Sequence, residues 1–227
     1  VLGGIIEIFP SEYIHVGGDE CPKVRWKTCP KCQARIKALG IKGDKKHSAE
    51  AYLQSFIITH AEKFLNDKGR QIIGWDEILE GGLAPNSTVM SWRGESGGIE
   101  AAKQHHDVIM SPNTYLYFDY YQSKDVENEP EAIGGYLPIE RVYSYEPMPK
   151  SLTPEEQKYI KGVQANLWTE YIPTFSQVEY MELPRMAALA EVQWTMPAKK
   201  NYEDFLKRLP GLVDVYDVYK YNYATHV

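Results

Sequence analysis

The stretch Tyr13-Ile-His-Val-Gly-Gly-Asp-Glu20 decides the fold, because a short apolar run ends there in two glycines and two adjacent carboxylates. The pattern predicts a buried strand, about residues 13–17, whose C-terminal end opens into a site. The two glycines permit unusual backbone angles or a close approach of a ligand. Asp19 and Glu20 are adjacent in an extended segment, so they point different ways and can differ in protonation. A strand-end turn with solvated acids is the alternative, and this motif alone does not exclude it.

Outward from this stretch, strand patterns alternate with helix patterns. Further strands are predicted over residues 71–75, 88–92, 107–111 and 163–168. Helices are predicted over residues 48–68 and 97–105. Capping boxes at Thr153 and Ser176 each predict the start of a further helix, and the second of these helices is broken at Pro184. A last helix is predicted from Tyr202. The order predicts an α/β fold with parallel strands and covering helices.

Length and charge limit the possible number of domains and the possible kinds of partner. The chain has 227 residues and a formal net charge of -6, from 25 Lys and Arg against 31 Asp and Glu. This length suits one domain or two small ones. Mild acidity gives no reason to expect a nucleic-acid or anionic-membrane partner, and no apolar run is long enough to span a bilayer.

The three cysteines are Cys21, Cys29 and Cys32. The spacing Cys29-Pro-Lys-Cys32 is typical of a metal knuckle or a redox pair. A structural zinc site needs four ligands, and no second such pair or paired histidines accompany it, so no metal site is predicted. A disulfide between Cys21 and one of the pair is an alternative, and three reduced structural thiols are the interpretation that we favour.

Acidic and aromatic residues recur after the predicted strands. The positions are Glu20, Trp75-Asp76-Glu77, Trp92-Arg93, Asn113 with Tyr117 and Asp119, and Trp168-Thr-Glu170. In α/β barrels and open sheets, active sites are built at the carboxyl ends of the strands. Aromatic walls and carboxylates are what a carbohydrate pocket needs. Individually, each tryptophan could pack a barrel rim, and for Glu77 we prefer a helix N-terminal charge.

These motifs together resemble glycoside hydrolase family 20, the β-N-acetylhexosaminidases. His15-Val-Gly-Gly-Asp-Glu20 matches the signature of that family, and Gly74-Trp-Asp-Glu77, Ser91-Trp-Arg-Gly94, Tyr117-Phe-Asp119 and Leu167-Trp-Thr-Glu170 follow in its order. The resemblance implies a (β/α)8 TIM barrel, of which residues 1–227 would be the C-terminal portion with about five β/α units. Because the family's N-terminal strands have no counterpart here, we expect exposed barrel edges and an apolar face. We therefore expect either self-association or a local departure from the parent geometry, and weak or no activity of this chain alone.

The resemblance also implies roles for individual residues. Glu20 is the expected general acid and base, Asp19 holds the acetamido nitrogen of the substrate, and Tyr117 donates to the acetamido oxygen. The substrate's own acetamido group is the nucleophile, so neither a cofactor nor a metal is expected. The residues expected to bind the sugar are His15, Trp75, Trp92, Asp119, Tyr145, Trp168 and Glu170.

The implied substrate is a glycan or glycoconjugate with a terminal N-acetylhexosamine, and the implied location is periplasmic or secreted. Three alternatives remain open. The first is a retaining glycosidase with a protein nucleophile such as Glu170, and the second is a sugar-binding fragment without turnover. The third reads Gly17-Gly-Asp-Glu20 as a nucleotidyl-cyclase signature, although Cys21 stands where that signature has phenylalanine.

Overall fold

The computed structural model describes residues 1–226 and contains one five-stranded sheet in the order β1-β2-β3-β4-β5. The strands are β1 Tyr13–His15, β2 Gln71–Trp75, β3 Thr88–Ser91, β4 Val108–Met110 and β5 Ile160–Val163. Strands β1 and β2 pair in parallel with Ile14 opposite Ile72, and β2 and β3 pair in parallel with Gly74 opposite Val89. The predicted α/β class and the predicted number of strands are confirmed.

Eleven helices accompany the sheet within residues 1–226. They are α1 Leu2–Ile8, α2 Val24–Thr28, α3 Pro30–Ala38, α4 Ala49–Asn66, α5 Ser96–Lys103, α6 Asn113–Leu116, α7 Ile139–Ser144, α8 Pro154–Gln157, α9 Phe175–Glu182, α10 Arg185–Trp194 and α11 Tyr202–Tyr219. Three 3₁₀ turns are Asp76–Leu79, Val126–Asn128 and Pro197–Lys199. None of the helices in the described chain is both long and apolar enough to cross a membrane.

The chain divides into two compact units. The first comprises Val1–Ile109 and Lys150–Lys161, and the second comprises Met110–Pro149 and the described residues from Gly162 on. In the first unit, Ile72, Val89 and Leu65 are completely buried between the strands and α4. In the second unit, Leu116, Leu137 and Met181 form part of the core, around the buried side chain of Arg185.

The buried face of α4 differs from the apolar stripe that its sequence predicts. The residues of that stripe fall three and four apart, at Leu53, Phe56, Ile57, Ala61, Phe64 and Leu65. Leu53 and Leu65 are buried as expected, but Phe56, Ile57 and Phe64 are 38%, 50% and 37% exposed. Polar side chains take part in the buried face, because they find hydrogen-bond partners there. Gln54 Nε2 donates to the Glu77 carbonyl at 3.1 Å, and the buried Glu62 carboxylate accepts from the backbone of the neighbouring loop.

Two predictions near the C-terminal half were wrong in detail. Strand β5 is Ile160–Val163 rather than 163–168, so the observed and predicted strands share only Val163, and an isolated bridge at Asn166 is all that remains of the rest. The strand begins early because α8 makes a single capped turn and extended backbone resumes two residues after its C-cap, Lys158. The N-cap of α9 is Thr174 rather than Ser176, since the Thr174 hydroxyl accepts from the Gln177 N–H at 3.2 Å. The predicted break at Pro184 is confirmed, as α9 ends before it and α10 begins after it.

Candidate active site

The turn after β1 depends on its two glycines. Gly17 and Gly18 have φ angles of +75° and +104°, which favour glycine. The Gly17 carbonyl accepts from the Trp75 N–H at 3.0 Å, so the parallel ladder continues past the strand. A Cβ on Gly18 would lie 2.6 Å from Ile78 Cγ2. The prediction of unusual backbone angles is confirmed. Close packing against the buried Ile78 is a second reason why position 18 requires glycine.

This turn presents the two adjacent acids to solvent. Asp19 and Glu20 are both exposed, and Glu20 itself has a left-handed φ of +45°. A non-glycine residue at positive φ is uncommon and often marks a functional position. The Glu20 N–H faces Glu77 Oε1 at 3.5 Å, which ties the turn to the segment after β2.

His15 supports the same turn. Its ring centroid lies 4.7 Å from that of Trp75, and its Nδ1 accepts from the Gly17 N–H at 3.1 Å. His15 keeps an exposed face, but desolvation by the surrounding structure lowers its pKa, and the Asp19 carboxylate opposes that effect. A neutral ring is the form that can accept the Gly17 hydrogen bond.

Asp76 joins the ends of β2 and β3. Its side chain is buried and accepts from the backbone N–H groups of Trp92 and Arg93 at 3.0 and 3.2 Å, and also from Arg93 Nε. A Cβ on Gly97 would lie 2.6 Å from the Asp76 Cβ, so the first turn of α5 requires glycine there. Asp76 therefore has a positioning role.

Glu77 orients the indole of Trp92. Its Oε2 accepts from Trp92 Nε1 at 2.9 Å, and Arg93 Nε lies 3.7 Å from its Oε1. Burial raises the pKa of Glu77, while the hydrogen bond from Trp92 opposes the rise. The sequence interpretation of Glu77 as a helix N-terminal charge missed this contact. The signal available was its place directly after the Trp75-Asp76 strand end.

In the second unit, Tyr117 and Asp119 lie beside an isolated parallel bridge between Tyr117 and Asn166. The Phe118 N–H donates to the Asn166 carbonyl at 2.7 Å, and the Asn166 N–H donates to the Leu116 carbonyl at 2.8 Å. The Tyr117 ring lies edge-on to Trp168, with centroids 6.5 Å apart. Burial raises the pKa of Tyr117 to about 12, so its hydroxyl keeps its proton at neutral pH and can donate a hydrogen bond.

Asp119 is a buried acid, only 3% exposed. Burial raises its pKa to about 6, and hydrogen bonds from its own N–H and from the Trp168 N–H oppose the rise. Its Oδ1 has no hydrogen-bond partner among the described residues. Buried polar atoms are normally paired, so this oxygen is suited to receive a hydrogen bond from a ligand.

Arg185 holds the backbone on both sides of Asp119. Its guanidinium is completely buried and donates to the Phe118 carbonyl, to the Tyr120 carbonyl at 3.1 Å and to the Leu137 carbonyl at 3.0 Å. Burial lowers the pKa of Arg185 to about 9. Sequence reasoning missed this residue, because a single arginine in the helix pattern after Pro184 gives no signal of its buried carbonyl partners.

The remaining predicted residues of this unit differ in exposure. Trp168 is 39% exposed and Glu170 is exposed, both after the bridge at Asn166. Tyr145 is only 1% exposed, and its ring stacks on Tyr115 at 4.8 Å. A contact between Tyr145 and a sugar stays a prediction. The Tyr145 side chain has almost no exposed surface through which to make it.

The family model described as "Glycosyl hydrolase family 20, catalytic domain" matches residues 1–197. The chain belongs to glycosyl hydrolase family 20. It is 50% identical over 224 residues to a β-hexosaminidase of Porphyromonas gingivalis, covering 98% of this chain and 28% of that protein. It is 36% identical over 194 residues to a β-hexosaminidase of Vibrio furnissii, covering 84% of this chain and 30% of that protein.

Solved structures agree with this membership. A family 20 exo-β-N-acetylglucosaminidase from Vibrio harveyi, in complex with N-acetylglucosamine, superimposes with a TM-score of 0.86 at 33% identity. The match covers 99% of this chain and 34% of that one. The chain thus spans about a third of the length of these family 20 relatives. The likeness confirms the barrel-type α/β fold that the motifs predicted.

Proposed function

We propose that residues 1–227 are the C-terminal portion of the catalytic barrel of a family 20 β-N-acetylhexosaminidase. The reaction is hydrolysis of terminal non-reducing N-acetyl-β-D-hexosamine residues of a glycan or glycoconjugate. The observation that carries this proposal is the exposed Asp19-Glu20 pair on the glycine turn after β1, within the family 20 match.

Glu20 is the proposed general acid and base. It protonates the glycosidic oxygen as the bond to the anomeric carbon breaks, and it later removes a proton from the attacking water. The acetamido oxygen of the substrate attacks the anomeric carbon and forms an oxazolinium ion, so the anomeric configuration is retained. This substrate-assisted route is an exception to the scheme with two protein carboxylates.

Asp19 and Tyr117 have proposed roles toward the acetamido group. An acetamide is a weak nucleophile, so orientation and charge stabilisation are the means of accelerating its attack. Asp19 accepts from the acetamido N–H and stabilises the positive charge that develops there. Tyr117 donates its hydroxyl to the acetamido oxygen, and the raised pKa of about 12 supports a hydroxyl that stays protonated.

The other residues have proposed contacts with the sugar. Trp75, Trp92 and Trp168 wall the ring and the acetamido methyl group, and Glu77 supports this role by fixing the indole of Trp92 at 2.9 Å. Asp119 and Glu170 accept from ring hydroxyls. The unpaired buried oxygen of Asp119 supports its role, because a substrate hydroxyl would supply the missing partner. His15 is also a proposed sugar contact, and in addition it holds the turn that carries Asp19 and Glu20.

Calorimetric titration with the thiazoline analogue of N-acetylglucosamine tests this proposal, because that compound mimics the oxazolinium ion. We expect the chain to bind it, and we expect Asp19→Ala and Tyr117→Phe each to weaken binding by more than about tenfold, or ~1.4 kcal/mol. Val126→Ala, a substitution at an exposed position, is the control and should bind like the wild type. Absence of binding by a chain that is folded by circular dichroism would count against the proposal.

A further inference from the structure

Two cysteines that the proposed reaction does not use lie at the start of α3. Cys29 is the N-cap residue, with an extended backbone at φ -73° and ψ 116°, and Cys32 is the third residue of the helix. Both are half-buried and neither is in a disulfide. The sequence Cys29-Pro-Lys-Cys32 thus places two accessible thiols one helical turn apart.

Hydrogen bonds hold the segments on both sides of this cysteine pair. Gln33 Nε2 donates to the Trp26 carbonyl at 2.9 Å and to Glu50 Oε1 at 3.0 Å, and the Cys29 N–H donates to the Arg25 carbonyl at 3.0 Å. Ile36 anchors the other end of α3 in the core. The two thiols are therefore presented by a turn whose neighbours on both sides are held in place.

The two thiols lie at the N-cap and at the third residue of α3, and their environments differ. The backbone N–H of Cys32, followed by the Cys32 thiol and the N–H of Lys31, lowers the pKa of Cys29. The neighbouring Cys29 side chain, together with burial, raises the pKa of Cys32. A thiolate is the nucleophile in disulfide exchange, so Cys29 is suited to attack and Cys32 to follow.

We propose that Cys29 and Cys32 form a reversible dithiol–disulfide site that exchanges with low-molecular-weight disulfides. The Cys29 thiolate attacks one sulfur of the external disulfide, whose S–S bond breaks and whose other sulfur leaves as a thiolate and takes up a proton. The Cys32 thiol loses its proton to solvent and attacks the Cys29 sulfur, which releases the second external thiol. The protein dithiol is oxidised by two electrons, and the external disulfide is reduced to two thiols.

A metal site is the competing interpretation of this spacing. Among residues 1–226, no group of three or more His, Cys, Asp or Glu side chains is placed to hold a metal ion. Two thiolates alone leave a structural zinc ion two ligands short. Thiol–disulfide exchange at Cys29 and Cys32 is a different reaction from the proposed hydrolysis. A test of one therefore does not depend on the other.

Thiol counting on the folded chain tests the site. The chain is incubated with glutathione disulfide without denaturant, and its free thiols and intact mass are measured. We expect the number of free thiols to fall from three to one, with the loss of two hydrogen atoms and full recovery after dithiothreitol. Cys32→Ser should stop at a mixed disulfide with glutathione on Cys29, whereas Cys29→Ser should form none on Cys32 in the same time.

Cys21→Ser is the matched control and should still form the disulfide. Three thiols that stay free in excess glutathione disulfide would overturn the proposal. So would a disulfide that contains Cys21, or one that Cys21→Ser abolishes. Circular dichroism of each variant shows that it is folded, which is expected because none of the three side chains is fully buried.

Discussion

At the residue scale, Gly18 combines a left-handed backbone with close packing. We expect Gly18→Ala to reduce the free energy of unfolding by about 2–5 kcal/mol, from backbone strain and from overpacking against Ile78. Gly82 has a similar φ of +96° with nothing within 4 Å of a built Cβ. Gly82→Ala should therefore lose only about 1–2 kcal/mol. Urea unfolding followed by circular dichroism measures both variants, and equal losses would show that contact with Ile78 is unimportant.

Asp119 should make stability depend on pH. Burial raises its pKa from 3.8 to about 6 in the folded chain, so the folded state binds the proton more tightly than the unfolded state. Stability from this group is therefore fully present below about pH 4 and is lost as the pH rises through about 6, by about 2–3 kcal/mol in total. Asp119→Asn should lack this loss.

The measurement is the difference in unfolding free energy between wild type and Asp119→Asn from pH 4 to pH 7. Asp125→Asn, a change at an exposed aspartate in the same unit, is the control and should keep the wild-type slope. A wild-type profile that runs parallel to that of Asp119→Asn would contradict a raised pKa for Asp119.

Arg185 should be difficult to replace even by lysine. A lysine keeps the charge but cannot reach several carbonyls with a planar fork, so buried carbonyls lose their partners. We expect Arg185→Lys to reduce the free energy of unfolding by about 3–5 kcal/mol. Arg208→Lys, at a surface ion pair with Glu191 in which the arginine side chain is 55% exposed, should lose much less. Similar losses for the two variants in urea unfolding would refute the role given to Arg185.

At the element scale, the sequence and the structure assign different N-cap residues to α9. Thr174 caps the helix, whereas the Ser176 predicted from the sequence lies within its first turn. Thr174→Ala should therefore reduce stability by about 1 kcal/mol, and Ser176→Ala should change it very little. Thermal and urea unfolding of the two variants decide between them, and the reverse order would restore the sequence interpretation.

The same elements show which kinds of feature can be predicted from sequence. Strand β2 and the Thr153 capping box depend on local patterns, and both were predicted within a residue. The turn at Gly17 and Gly18 was also predictable, because two glycines before two acids limit the possible backbone. The orientation of α4 was not, because Gln54 and Glu62 are buried only through partners distant in the sequence. The buried partners of Arg185 and Glu77 were not predicted for the same reason.

At the scale of the whole molecule, β1 is an edge of the sheet among the described residues, since it pairs only with β2. Tyr13 on this edge is 43% exposed. Unpaired strand edges promote association, so self-association stays our prediction, and a charged Tyr13→Lys should reduce it. Sedimentation velocity over a range of concentrations measures the effect, with Val126→Lys as a control at another exposed apolar position. A wild-type chain that remains monomeric throughout would contradict this prediction.

The most direct test of the proposed hydrolase function is a chimera in which this chain replaces the matching segment of the β-hexosaminidase of Porphyromonas gingivalis, to which it is 50% identical. Release of 4-nitrophenol from its N-acetyl-β-D-glucosaminide is compared with release from the β-D-glucoside, which lacks the acetamido group. We predict turnover of the first substrate alone, and a loss of at least about 10²-fold in Glu20→Gln. Equal turnover of both substrates, or full activity of Glu20→Gln, would contradict the substrate-assisted mechanism and the role of Glu20.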